Sequence, residues 1–362
     1  MKTLEAWLCL KCAPQLKSGE IPQLLKKYPD PTEFIGQPNH PIQADESLHP
    51  ETREHILRAQ PHPDLTKILN LCDQFDIQAT FWGAEDYPSG LKQILAPPLI
   101  LYYRGNLAPA LNGVCLGVVG TRKASAYGSS SCKKLLEPVC RQGVTIVSGL
   151  ATGIDTAAHT AALAAGGKTL AVLAGGLQSI YPPQNQELAE TIIANGALIS
   201  EYEPGTSIER WNFVARNRII SALSTAVFIV EGSFKSGAMI TAKHAIDQNR
   251  DLMALPGQIN HYNAQGPNYL IKNGALCVTE AEDLICALGL DYEPGEQMEI
   301  LPEMSPGEQQ IHQIFQDQQR EISFDELLLI SKFSFGKLST ALLNLELKGY
   351  LCKTGGNSFI LS

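Results

Sequence analysis

Between Cys115 and Leu255 the chain repeats one unit: a short unbroken apolar run, a glycine-bearing turn, then a stretch whose apolar residues recur at helical spacing. The runs are Cys115 to Gly120, Val144 to Val147, Thr169 to Ala174, Ala197 to Ser200, Thr225 to Glu231 and Leu252 to Leu255, the last stopped by Pro256-Gly257. Strands apolar on both faces must be covered on both faces, and helices between successive strands achieve this around a parallel sheet. The sequence therefore predicts an α/β fold. Ligands of such sheets bind beyond the carboxyl ends of the strands, where the glycine-rich turns gather.

Two of those turns carry chemistry. Ser148 to Gly153 joins a strand to an Ala-rich helix from Asp155 onward, with Gly149 and Gly153 where the backbone must bend or lie close to another group. The free N–H groups of such a helix start attract anions, although Asp155 and Thr156 can equally serve as caps in a purely structural turn. In the turn after Gly120, Arg122 and Lys123 suit phosphates better than a ribose hydroxyl, and Gly117-x-x-Gly120 is not a full dinucleotide fingerprint.

Charge locates the ligand. The net charge of −9 argues against a nonspecific nucleic-acid coat, but it divides into −3 over residues 1–110, 0 over 111–290 and −6 over 291–362. An anionic ligand belongs in the middle segment. There Glu209 to Ile220 holds Arg210, Trp211, Phe213, Arg216 and Arg218 within nine residues, leading into a helix anchored by Ile219, Ile220 and Leu223. Arginine forks match phosphate oxygens, and an aromatic face accepts a stacked base, so together they form a grip sized for a single strand. Arg210 and Phe213, one helical turn apart, are the better candidates for contact. Arg216 and Arg218 can instead pair with Glu201, Glu203 or Glu231 and hold loops in place.

The length of 362 residues suggests two or three domains. Helical patterns at Leu4 to Cys12, Ile21 to Lys27, Glu51 to Ala59 and Leu65 to Phe75 suggest a small helical domain over 1–80, followed by the sheet domain over 81–290. Residues 291–306, acidic and without period, read as a linker. Residues 307–362 give three helices and two short strands around Gly355-Gly356, the layout of a winged helix. Its acidic balance, with Lys337 and Lys348 facing Glu346, favours protein contact over duplex DNA.

Catalytic chemistry is sparse. Ser148, Asp155 and His159 are the nominal hydrolase candidates, with His159 read as capping or packing, and neither a Walker A pattern, a nucleophile elbow nor a metal-ligand cluster occurs. The Cys9-x-x-Cys12 pair has no second pair and no His beside it, and His40, His49, His55 and His62 read as solvated loop residues, so no metal and no cofactor is expected. The nine cysteines lie mostly in apolar patterns as free thiols. No apolar run reaches the roughly 20 residues of a membrane span and no signal layout opens the chain, which predicts a cytoplasmic protein.

The motifs resemble the DNA-processing protein A (DprA/Smf) family over essentially the whole length. They are Val-Gly-Thr-Arg-x-x-Ser-x-Tyr-Gly (Val119 to Gly128), Ser-Gly-x-Ala-x-Gly-Ile-Asp-x-x-Ala-His (Ser148 to His159), Tyr-Pro-x-x-Asn (Tyr181 to Asn185), Arg-Asn-Arg-Ile-Ile (Arg216 to Ile220), Ser-Gly-Ala-Met-Ile-Thr-Ala (Ser236 to Ala242) and Pro256-Gly257. The resemblance implies an extended Rossmann-like domain that dimerises and binds single-stranded DNA with little sequence preference. It also implies a helical N-terminal domain similar to a sterile-alpha-motif fold (SAM-like), a C-terminal winged helix, and delivery of the strand to the RecA recombinase in natural transformation in place of single-strand-binding protein. Arg122, Arg210 and Phe213 inherit the binding role, and Lys123, Ser125, Gly149, Gly153, Arg216, Asn217 and Arg218 complete the candidate set. Val214 stands where the family commonly has Pro. The alternative is an enzyme of the related Rossmann-like phosphoribohydrolase kind, whose Pro-Gly-Gly-x-Gly-Thr turn is replaced here by Glu231-Gly-Ser-Phe-Lys-Ser-Gly237. The reading is of a protein that binds without catalysing.

Overall fold

All six predicted runs are strands, and they belong to a sheet of nine. A computed structural model describes residues 3–17, 19–291, 304–318, 320–348, 350–353 and 358–361. The chain divides into two compact units, Met1–Tyr292 and Glu293–Ser362.

The first unit opens with helices α1 (Thr3–Lys11), α2 (Ile21–Lys27), α3 (Pro31–Phe34), α4 (Pro50–Leu57) and α5 (Leu65–Phe75). Strand β1 (Gln78–Phe81), straddling the boundary expected at residue 80, pairs antiparallel with β2 (Ile100–Gly105); α6 (Ser89–Lys92) lies between them and α7 (Leu107–Leu111) follows. The repeating units then run β3 (Cys115–Val119), α8 (Ala126–Arg141), β4 (Thr145–Ser148), α9 (Ile154–Ala164), β5 (Thr169–Val172), α10 (Gln186–Asn195) and β6 (Ala197–Ser200). They continue with α11 (Arg210–Leu223), β7 (Ala226–Ile229), α12 (Gly237–Asp247), β8 (Asp251–Ala254), α13 (Gln265–Lys272), β9 (Leu276–Cys277) and α14 (Ala281–Ala287).

The strand order is β1-β2-β6-β5-β4-β3-β7-β8-β9. The sheet is parallel from β6 to β9, as expected, but β2 joins β6 antiparallel, so one edge departs from the all-parallel expectation. The period of two divides each buried strand between the two covering layers. Ala226, Phe228 and Val230 pack under α8, α9 and α14, while Val227 and Ile229 pack under α11, α12 and α13. A third apolar cluster joins the N-terminal helices to the sheet: Leu8, Leu25, Phe34 and Ile56 share it with Tyr102, Leu173, Leu198 and Ile192, and Trp7 stacks on Phe81 at 5.4 Å.

Two expectations about the first helices change. His55 is buried, and its Nε2 lies 3.6 Å from Cys9 Sγ and 3.7 Å from Cys12 Sγ, so the Cys pair does have an imidazole beside it. Among the described residues no group of three His, Cys, Asp or Glu side chains could hold a metal ion, and burial pushes the Cys9 thiol up to about 12. His40 and His49 are caps, accepting from the Ile42 and Glu51 amides, and His62 pairs with Glu203.

The second unit consists of α15 (Pro306–Gln318), β10 (Ile322–Ser323), α16 (Phe324–Ser331), α17 (Phe335–Leu347), β11 (Leu351–Lys353) and β12 (Ser358–Leu361), with strand order β10-β12-β11. Ile311, Phe315, Leu327, Leu338, Leu342 and Phe359 form its core. Ser323 caps α16 by accepting from the Glu326 amide, and the Lys348 ammonium lies 2.6 Å from the buried Glu308 carboxylate. Most of the expected linker, residues 292–303, and the Gly355-Gly356 turn lie outside the described residues.

Candidate nucleic-acid interface

In the strand order β3 and β7 are neighbours, and the connection from β3 runs through α8 to β4 on one side while that from β7 runs through α12 to β8 on the other, which opens a crevice at their carboxyl ends. A cavity of about 640 Å³ lies there. Val119, Gly120, Thr121 and Arg122 supply one side from the end of β3; Ala151 and Asp155 come from the β4–α9 turn; Arg210, Phe213, Arg216 and Asn217 come from α11; and Ser236, Gly237 and Ala238 from the start of α12. The cavity thus gathers five of the ten candidates: Arg122, Arg210, Phe213, Arg216 and Asn217.

Phe213 is its centre. The Arg122 guanidinium carbon sits 4.6 Å from the Phe213 ring centroid, and the Tyr181 ring lies 5.8 Å away, tilted by 59°. Arg122, Arg210 and Tyr181 are exposed and Phe213 is half-buried, so two cations and two rings face solvent around one concavity. Trp211, 65% exposed, does not line it although it neighbours Arg210 in sequence. Tyr181 stood in the Tyr-Pro-x-x-Asn motif but not in the candidate set, because no charge or helical spacing ties it to Phe213 in sequence. It is brought in because Asn185 Nδ2 donates to Leu150 O and Thr156 Oγ1, tying the segment to the neighbouring turn.

The arginines of Arg216-Asn217-Arg218 divide by partner. Arg216 is buried; its Nη1 donates to Gly149 O at 2.9 Å, and its guanidinium interacts with the buried Asp155 carboxylate, which accepts from the Ala151 amide. Burial lowers the Arg216 pKa to about 10 and raises that of Asp155, with each charge opposing the other's shift. Both groups press on Gly149, where an added Cβ would lie 2.5 Å from Arg216 Nη2 and 2.7 Å from Asp155 Oδ2. Arg218 does not reach the cavity: its two terminal nitrogens donate to the two Glu201 carboxylate oxygens at 2.7 and 2.6 Å. Asn217 Nδ2 donates to Gly237 O at 3.3 Å, linking α11 to α12.

The remaining candidates support the walls. Gly153 has φ +84° and its Cα approaches the Thr121 carbonyl so closely that a Cβ would lie 2.3 Å from that oxygen. Ser125 is half-buried and caps α8, accepting from the Gly128 amide while its own hydroxyl and amide donate to Glu231. Lys123 is exposed outside this cavity, its carbonyl accepting from Asn263.

The anion site expected at the start of α9 is largely filled by backbone. The Ile154 amide donates to Thr121 O, Thr156 to Ala151 O and Ala157 to Gly153 O, which makes this turn the structural alternative. The helix start that opens on the cavity is that of α12, where Ser236, Gly237 and Ala238 line the wall and the Met239 amide donates to Ser236 O. His159 packs as expected: it is fully buried, and because Thr169 Oγ1 donates to Ile146 O, it must accept from His159 Nδ1, leaving Nε2 unprotonated and without a partner. Burial and the Arg216 charge hold its pKa at about 3. Unfolding frees the imidazole to protonate below about 6.5, so between that pH and about 3 the unfolded chain binds one proton more. Stability should therefore fall by about 1.4 kcal/mol per pH unit as pH drops through this window. Denaturant titrations from pH 7 to 4 should show that slope reduced by one proton in His159→Asn.

A doubly wound sheet with cations and aromatic rings around a cavity at its switch point defines a Rossmann-like protein. A family model described as DNA recombination-mediator protein A matches residues 78–289, and the chain belongs to that family. It is 40% identical over 244 residues to the DNA processing protein DprA of Bacillus subtilis, covering 66% of this chain and 82% of that protein. It is 37% identical over 311 residues to Protein Smf of Synechocystis, covering 75% and 77%. Among solved structures, DprA from Streptococcus pneumoniae superposes with a TM-score of 0.67 at 30% identity over 81% of this chain and 99% of that one. The DNA processing protein A of Helicobacter pylori, solved for its single-stranded DNA binding mode, gives 0.55 at 30% identity over 60% and 98%. Among the described residues no helix is long and apolar enough to cross a membrane.

Proposed function

We propose that this protein binds single-stranded DNA in the cavity between β3, α11 and α12 and, without catalysis, hands the strand to a RecA-type recombinase in natural transformation, in place of single-strand-binding protein. The observation that carries the reading is the Phe213 ring held between the Arg122 guanidinium and Tyr181, with Arg210 on the same wall. Guanidinium groups meet phosphates and exposed ring faces meet unpaired bases; a duplex, with its bases stacked inside, offers the rings nothing. The titratable groups near the cavity favour binding over turnover, since Asp155 is engaged by Arg216 and the Ala151 amide and His159 faces the core. Exposed Ile246, Tyr269 and Leu276 beside the β9 edge support a homodimer. Lys337 lies over the Phe333 ring and Lys348 pairs with Glu308, which favours protein contact for the C-terminal unit.

Arg122→Ala should weaken oligo-dT binding about tenfold and reduce the slope of log affinity against log salt by about 0.7, the share of one phosphate contact on a single strand. An unchanged affinity and slope would remove the cavity from the reading. Nucleotide hydrolysis should be absent from the purified chain, and RecA filaments should form faster on strands coated with single-strand-binding protein when it is added.

A further inference from the structure

A second cavity, of about 450 Å³, opens on the same carboxyl-end rim of the sheet. Val230 and Glu231 after β7, Leu255 to Gln258 after β8, and Ala126 and Tyr127 at the start of α8 line it, with His261 and Ala264 beyond. Its walls are largely apolar and include no lysine or arginine. The Glu231 carboxylate in its wall is buried and held by Ser125, whose hydroxyl donates to Oε1 at 2.5 Å and whose amide donates to Oε2 at 2.9 Å. A phosphate would meet that carboxylate with no permanent cation to offset it, so the chemistry excludes an anion. A flat, neutral ring with apolar faces and N–H groups on its edge fits, because the carboxylate oxygens retain lone pairs for such donors.

The wall between the two cavities is the loop after β3. Thr121 and Arg122 line the first cavity and Ser125 the second, and the three residues from 122 to 125 span at most about 10 Å. This loop is pinned from both sides: the Thr121 amide donates to Glu231 O at 2.8 Å and Asn263 Nδ2 donates to Lys123 O at 3.1 Å. The exposed Lys123 side chain sits on the crest.

We propose that the cavity between Tyr127, Leu255 and Glu231 takes one unstacked nucleobase from the strand whose adjoining residues are held at Arg122 and Phe213, with Lys123 meeting the phosphate that crosses the crest. This rests on the single-stranded DNA reading above and adds to it a site for a base alone.

The test uses the full chain, a thymidine 12-mer and the same oligonucleotide carrying 5-iodouracil. Ala126 is exposed at the first position of α8, so Ala126→Phe fills the cavity without removing the Ser125–Glu231 pair. The expected result is affinity about tenfold weaker with an unchanged salt slope, together with a photochemical cross-link to Tyr127 or His261 in the parent protein that the variant loses. Cross-links confined to Phe213 and Tyr181, or full affinity in Ala126→Phe while Arg122→Ala is impaired, would overturn the base site and leave the strand-binding reading standing. Retained strand affinity with loss of a recombinase contact in Ala126→Phe would overturn it in favour of a partner's side chain. If the parent chain fails to bind the 12-mer at all, the strand-binding reading falls, and the base site with it.

Discussion

Asp155→Ala should lower the unfolding free energy of the sheet unit by about 3 to 5 kcal/mol, the usual cost of stranding one member of a buried charge pair. Arg216 is 3% exposed, and among the described residues Asp155 is the carboxylate that offsets its charge; the same side chain accepts from the Ala151 amide. Deleting it leaves a guanidinium in low dielectric with Gly149 O as its backbone acceptor and opens a void under the β4–α9 turn. At about 2 to 4 °C per kcal/mol for a unit of this size, thermal melting should shift down by roughly 10 °C. Asp155→Asn, which keeps an acceptor oxygen for Ala151, should fall between parent and Ala. If both variants melt with the parent, the pair contributes nothing to holding the cavity floor.

Phe213→Ala should raise the dissociation constant for oligo-dT about 5- to 150-fold, the 1 to 3 kcal/mol typical of one base stacked on an aromatic ring. The ring's second role increases the effect. It positions the Arg122 guanidinium, 4.6 Å from its centroid, so the two substitutions should be less than additive when combined. Stacking is not screened by salt, so the loss should persist at high ionic strength, whereas the Arg122 contribution fades. A defect that vanishes in high salt would mean that Phe213 acts only through its arginine neighbour.

The central strands could be read from the sequence because both of their faces are covered, which leaves unbroken apolar runs such as Ala226–Ile229. Gln78–Phe81 escaped, since it follows α5 within a few residues and draws its pairing from β2. For the cavity, Arg122, Arg210 and Phe213 were legible as types: cations and a ring clustered near turns at one end of a sheet. The local sequence could not reveal which groups already have partners. The Arg218–Glu201 pairing was one of the alternatives open from the sequence, but Glu231 claims Ser125 across 106 residues and Thr121 O claims the Ile154 amide at the start of α9. Likewise His55 reaches the Cys9 and Cys12 thiols only because α4 folds back onto α1.

The N-terminal helices and the sheet do not have separate interiors. Leu173, Ile192 and Leu198 are shielded by Leu8, Leu25, Phe34 and Ile56, so the segment 78–289 that defines the family has no complete covering of its own in this chain. Excising it would strip a lid of side chains from one flank and leave a greasy surface exposed to water. The first seventy-odd residues therefore act as a solubilising cap, and how long a strand-binding form survives should depend on keeping them attached.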